Sequence, residues 1–191
     1  MTTEVLTETP AQSRPWGEVA VSFARQLAAD DFQRGDLAEL RRMDPDKPDA
    51  AAFWRLMAQQ DLLDRPAIEH KWALVLHGLA LMTRTAEGDA VSRSAHDRNT
   101  PIGEALFYGD DRSRQTAFYS HTRLNRLLVA RGPMLRVLLA RLFRMLGAKG
   151  CAFDWYRMAR LILNEERADD VRRDIARRYY WAENRASRPQ D

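Results

Sequence analysis

The chain has 191 residues, 45% hydrophobic and 30% charged, which suits one domain or two small ones with a substantial buried core. Cys151 is its single cysteine, so an intramolecular disulfide and a cysteine-based zinc site are excluded. The net charge of +3 conceals a polarised chain, with 12 basic and 19 acidic side chains in residues 1–111 but 18 and 8 in residues 112–191; such asymmetry points to nucleic acid or an anionic membrane surface.

Residues 1–14 are polar and acidic, rich in Thr and Glu without periodicity, and read as a disordered tail. They lack the basic and apolar regions of a signal peptide. The most apolar segment, Trp72 to Met82, spans 11 residues and is too short to cross a bilayer. The expectation is a cytoplasmic protein with no membrane span.

Pro15 suits a helix start, and Trp16, Val19, Phe23 and Leu27 recur at helical spacing. Gly35-Asp36 is expected to stop that helix and start a short one over Leu37–Met43. Asp44-Pro45-Asp46-Lys47-Pro48 is a turn cluster, after which Asp49 is expected to cap a helix through Phe53, Trp54 and Met57. Pro66 opens a mostly buried helix to about Thr83. Thr85–Thr100 has no apolar periodicity and reads as a loop. A short helix follows Pro101, then helices over about 115–130, 133–146, 154–164 and 168–185, with Asp154 as N-cap of the third. No strand-like alternation occurs. The expected fold is all-α: helical groups at 15–84 and 101–187, the second of them basic, joined by a loop at 85–100.

Between Arg112 and Phe153 lie eight arginines, one lysine and no Asp or Glu. A GC-rich genome explains a general preference for arginine but not the missing acids. On the 133–146 helix, Leu135, Leu138, Leu139, Leu142, Phe143, Met145 and Leu146 fill one side, while Arg136, Arg141 and Arg144 fall on an arc of roughly 140° on the other. An ordinary solvated face mixes acids and bases to gain i,i+4 pairs; this helix offers no acid of its own. Arg123 and Arg126 lie one turn apart on the preceding helix. Arg131 closes that helix, where a cation also suits the helix dipole. Arg172, Arg173, Arg177 and Arg178 interleave with Asp169, Asp170 and Asp174 and are expected to pair with them.

Sites for covalent or redox chemistry are missing. His70, His77, His96 and His121 show no metal-ligand spacing, and there is no dinucleotide fingerprint, P-loop or nucleophile elbow. Cys151 has no activating neighbour beyond Lys149. No metal, no cofactor and no catalysis are expected. The tryptophans and the Tyr179-Tyr180 pair fall mostly at apolar helical positions and read as core.

Several segments together resemble the small subunit of the type I-E CRISPR surveillance complex Cascade, the CasB family. They are Leu40-Arg41-Arg42, Phe53-Trp54-Arg55-Leu56, Ile102-Gly103-Glu104-Ala105-Leu106, Arg123-Leu-Asn-Arg-Leu-Leu128 and Asp154-Trp155-Tyr156-Arg157-Met158, in family order over residues 35–165. The Tyr108-Gly-Asp-Asp111 segment is more acidic than the family pattern. The resemblance implies a two-part helical subunit present as a head-to-tail pair with a second copy of itself, among other Cascade subunits. It also implies contacts with the guide RNA (crRNA), the target DNA and the displaced non-target strand. By position, Arg41 and Arg42 match the family's basic pair, and Arg123 and Arg144 match basic positions of its C-terminal helices. Arg65, and Arg93 and Arg98 in the loop, follow by looser analogy.

These readings converge on a non-catalytic, sequence-independent nucleic-acid-binding subunit using Arg41, Arg42, Arg65, Arg93, Arg98, Arg123, Arg126, Arg131, Arg136, Arg141 and Arg144, and acting in antiviral defence. The alternative is an all-α DNA-binding transcriptional regulator, which needs a recognition helix presenting Asn, Gln or Arg to base edges and dimer symmetry. Docking of an amphipathic helix to an anionic membrane or acidic partner is a third reading; it requires the apolar side of 133–146 to be free.

Overall fold

The computed structural model describes residues 15–84 and 93–188; the expected tail at 1–14 and the stretch 85–92 of the expected loop lie outside the described residues. The described residues form nine α-helices and no strand: α1 Trp16–Leu27, α2 Arg34–Arg42, α3 Ala51–Gln59, α4 Glu69–Met82, α5 Ile102–Tyr108, α6 His121–Val129, α7 Gly132–Lys149, α8 Trp155–Leu163 and α9 Asp169–Ala186. The all-α reading holds. Three isolated bridges, among them Arg84 with Arg93 and His96 with Phe153, tie loops together.

α4 is apolar nearly all round and is correspondingly buried, from Trp72 to Ala80 without interruption. It packs against α1, α2, α7 and α8, so it is the axis of the core. α1 lies along α8, and α5 along α9. Close approach is bought with glycine. A Cβ on Gly78 would sit 2.5 Å from the Phe143 ring of α7, and one on Gly147 would meet the Leu81 backbone carbonyl of α4. Trp72, Trp155, Phe23, Phe143 and Phe153 fill the interior, with Phe23 edge-on to Trp72 at 5.7 Å and Phe153 stacked on Trp155 at 5.3 Å.

Several local expectations change. Gly35-Asp36 lies inside α2, which starts at Arg34. Asp49 does not cap α3. Its N-cap is Ala50, and the Ala52 N–H is satisfied by Glu39 Oε2 from α2 at 3.3 Å. The helix expected from 115 begins at His121. The preceding segment instead donates Phe118 N to Phe107 O at 2.8 Å and Tyr119 N to Leu106 O at 2.9 Å, satisfying carbonyls at the end of α5. Asp154 caps α8 as expected, accepting the Tyr156 N–H at 3.0 Å. Residues 93–100 are anchored: Ala95 is fully buried, and His96 Nδ1 accepts the Trp155 N–H at 3.1 Å.

Candidate nucleic-acid interface

α6 and α7 meet at a corner made by Ala130-Arg131-Gly132, with Pro133 in the first turn of α7. α6 buries Leu124 and Leu127; α7 buries Leu135, Leu139, Leu142, Phe143 and Leu146, the face that packs on α4. The apolar side of α7 is therefore committed to the core. The corner is held by charge. Arg131 Nη1 donates to Leu128 O and Ala130 O at 3.1 and 2.9 Å, and its Nη2 reaches Asp169 at 3.4 Å. Glu165 Oε1 accepts the Gly132 N–H at 2.6 Å, capping α7 from outside.

The arginines of the two helices separate into engaged and free groups. Arg136 is not unpaired as α7 alone implies: its Nε donates to Asp46 Oδ1 at 2.9 Å, an acid from the 44–48 turn. Arg141 and Arg144 are exposed, and among the described residues neither has a carboxylate partner. The same is true of Arg126. Arg123 Nη1 lies 4.0 Å from Met145 Sδ, which sets this exposed α6 guanidinium alongside the turn of α7 that carries Arg144. A run of exposed cations thus crosses from α6 to α7.

The other expected positions are dispersed. Arg41 is turned inward: its Nε donates to Ala80 O at 2.8 Å and its Nη2 to Thr83 O at 2.7 Å, closing the C-terminus of α4. Burial lowers its pKa. Arg42 beside it is exposed, as is Arg65, which precedes the short 3₁₀ turn Pro66–Ile68. Arg93 pairs with Arg84 through the backbone, and Arg98 lines a cleft distant in sequence from α6 and α7. On α9, Arg172 is buried, donating to Glu165 O at 3.0 Å with the Asp169 and Glu165 carboxylates at 3.8 and 3.9 Å, while Arg177 holds Asp174 at 2.8 Å, so both are engaged with acids of the same chain.

Elsewhere the chemistry is quiet. Among the described residues no three His, Cys, Asp or Glu side chains are grouped to hold a metal. The Cys151 thiol is buried, and desolvation pushes its pKa up to about 11, which keeps it protonated. His77 is buried, with Nδ1 3.0 Å from Leu40 O. No described helix is long and apolar enough to cross a membrane. The aromatic residues divide: Trp72, Trp155 and Tyr179 are core, whereas Trp54, Tyr180 and Trp181 are exposed by 37, 43 and 48%. Neither the exposure of these three nor the Arg136–Asp46 pair carries a local sequence signal, because each depends on which distant element packs alongside.

The family model for the CRISPR-associated protein Cse2 matches residues 36–180, about three quarters of the chain and all of α3 to α8. No curated protein and no solved structure matches it significantly. Helical architecture and family match agree, and the chain belongs to the Cse2 (CasB) family, the small subunit of CRISPR type I-E Cascade.

Proposed function

We propose that this subunit is a non-catalytic clamp that holds nucleic-acid backbone without reading sequence, and that within Cascade it stabilises the guide RNA–target DNA region and the displaced strand of the R-loop. One observation carries the reading: the exposed guanidiniums of Arg123, Arg126, Arg141 and Arg144 cross two adjoining helices with no carboxylate partner among the described residues. Arginine contacts to phosphate position a strand and carry no base information. Base pairing supplies the specificity, and because opening a duplex is a near-balanced exchange, a few contacts to the displaced strand are enough to tip it. α7 presents no Asn or Gln on this face, which fits phosphate contact better than base readout. A second copy, other Cascade subunits, crRNA and both DNA strands are the partners this reading requires. Arg42 and Arg65 are candidate outlying contacts, whereas Arg41, Arg131 and Arg136 act first in the fold.

The test is binding of fluorescent oligothymidylate and mixed-sequence single strands across a salt series. Affinity should fall steeply with salt and differ little between sequences. Arg141→Ala and Arg144→Ala should each reduce the slope of log K against log salt by about 0.7, the single-strand value per phosphate. Salt-insensitive binding, or strong preference for one duplex sequence, would refute the clamp and favour the regulator.

A further inference from the structure

A cleft of about 700 Å³ opens between α1, α8, α9 and the 96–101 segment. Its lining includes four guanidiniums from four separate elements: Arg25 of α1, Arg98 of the loop, Arg157 of α8 and Arg178 of α9. None belongs to α6 or α7, so this is a second basic locus.

Charge within the cleft is unevenly settled. Asp174, whose side chain is 12% exposed, holds Arg157 at 3.4 Å, Arg177 at 2.8 Å and Arg178 at 3.9 Å. Three guanidiniums on one carboxylate leave a local surplus of positive charge. Asp154 accepts the Tyr156 N–H that it caps and lies 4.0 Å from His96 Nδ1, so its charge is held at the start of α8 and the lining sets four guanidiniums against three carboxylates. Arg25 and Arg98 are exposed and have no carboxylate partner among the described residues. His96 accepts the Trp155 N–H on Nδ1, which leaves Nε2–H as the ring's donor. The remaining lining acid is Glu18. It lies seven positions before Arg25 on α1, roughly 10 Å along the helix axis.

Ser94 Oγ donates to Ala24 O at 3.3 Å, which ties the segment carrying Arg98 to the turn of α1 carrying Arg25. Tyr156, also in the lining, is exposed by 36% and lies against Gly17, where a Cβ would come within 2.5 Å of its Cδ2. The missing side chain at Gly17 lets the tyrosine ring settle against α1 and line the cleft beside Glu18. A phosphate suits Arg25 and Arg98, whose guanidiniums offer bidentate contacts. A flat uncharged ring suits the exposed tyrosine, because aromatic stacking is indifferent to base identity.

We propose that this cleft receives one nucleotide of an unpaired strand, its phosphate between Arg25 and Arg98 and its base against Tyr156. The proposal rests on the nucleic-acid reading above but uses none of its α6–α7 residues. Full-length protein would be titrated with fluorescent oligothymidylate and, separately, with thymidine monophosphate. The variants are Arg25→Ala, Arg98→Ala, Tyr156→Ala, Tyr156→Phe and, as the comparison, Arg141→Ala. Arg25→Ala and Arg98→Ala should each weaken oligothymidylate by about tenfold and lower the salt slope by about 0.7. Tyr156→Ala should cost about tenfold with the salt slope unchanged, and Tyr156→Phe should bind as the parent, which separates stacking from a hydroxyl contact or a fold defect. If the cleft variants bind the strand normally while Arg141→Ala does not, the cleft proposal is refuted and the clamp stands. If no variant in either set moves the affinity, both fall. Binding of the monophosphate that depends on Arg25 while strand affinity does not would also overturn the proposal, as a free-nucleotide pocket.

Discussion

Replacing Arg41 separates a structural arginine from a nucleic-acid contact. The family resemblance places it with Arg42 in a basic pair, but its guanidinium bridges Ala80 O and Thr83 O at 2.8 and 2.7 Å. A helix ends with unsatisfied carbonyls, and α4 ends inside the fold, with Thr83 and Met82 buried. Each hydrogen bond from a charged donor contributes about 1.5–3 kcal/mol when buried. Arg41 is only half-buried and water can replace part of what is lost, so Arg41→Ala should destabilise by about 2–3 kcal/mol. For a chain of this size that is a fall in Tm of about 4–12 °C. Arg41→Lys can satisfy one carbonyl but not bridge two, and should recover about half of the loss. Denaturation followed by circular dichroism gives the stability, and oligothymidylate titration below the variant's Tm gives the binding. Stability should fall while affinity stays within about twofold of the parent. An unchanged Tm together with a clear loss of binding would refute this assignment and return Arg41 to the nucleic-acid surface.

Acid should destabilise the protein before its carboxylates titrate. Burial lowers the pKa of His77 and His96 from the ordinary 6.5, so the unfolded chain takes up protons that the native state refuses. Stability is then intact above about pH 6.5 and is lost as pH falls below it, by up to about 1.4 kcal/mol per pH unit for each histidine. His77→Gln should flatten the dependence of Tm on pH between 6.5 and the carboxylate range; an equally steep profile in that variant would exclude His77 as its source. Gly147→Ala should destabilise by about 1–3 kcal/mol, because its Cβ would collide with the Leu81 backbone carbonyl where α7 crosses α4; an unchanged denaturation midpoint would contradict that close approach.

Helix phase and local caps were legible in the sequence. Trp16, Val19, Phe23 and Leu27 predicted α1, and Asp154 predicted the start of α8, because each signal acts within one turn of its own chain. The Asp49 cap failed because Glu39, on another helix, supplies the acceptor. Residues 115–120 look helical in sequence because nothing local shows that Phe118 and Tyr119 will pair with the end of α5. The candidate surface divides in the same way. Lack of acids near Arg141 and Arg144 is a property of the sequence around them. The Asp46 that neutralises Arg136 lies 90 positions away and is brought to it by the packing of the fold. Exposure of Tyr180 and Trp181 is likewise decided by what α9 fails to meet, which no periodicity records.

An exposed cationic face kept for a ligand should cost the free protein stability, and the sign of that cost is testable. Arg141 and Arg144 stand at i,i+3 on α7 without an intervening acid, a like-charge arrangement unfavourable by about 0.2–0.5 kcal/mol. Arg141→Glu would replace that repulsion with an attraction of similar size, for a gain of about 0.4–1 kcal/mol at low salt, and Glu and Arg have similar helix propensity. If Arg141 holds a phosphate as proposed, the same change removes that contact and sets a carboxylate beside the strand, so binding should fall further than in Arg141→Ala. Stability and binding should therefore move in opposite directions. Added salt should shrink the difference in Tm between Arg141→Glu and the parent, because it screens both the repulsion and the attraction that replaces it. If Arg141→Glu loses both stability and binding, the weakened binding reports a damaged fold. If it gains stability and binds as the parent does, Arg141 is an ordinary solvated residue and the strand lies elsewhere.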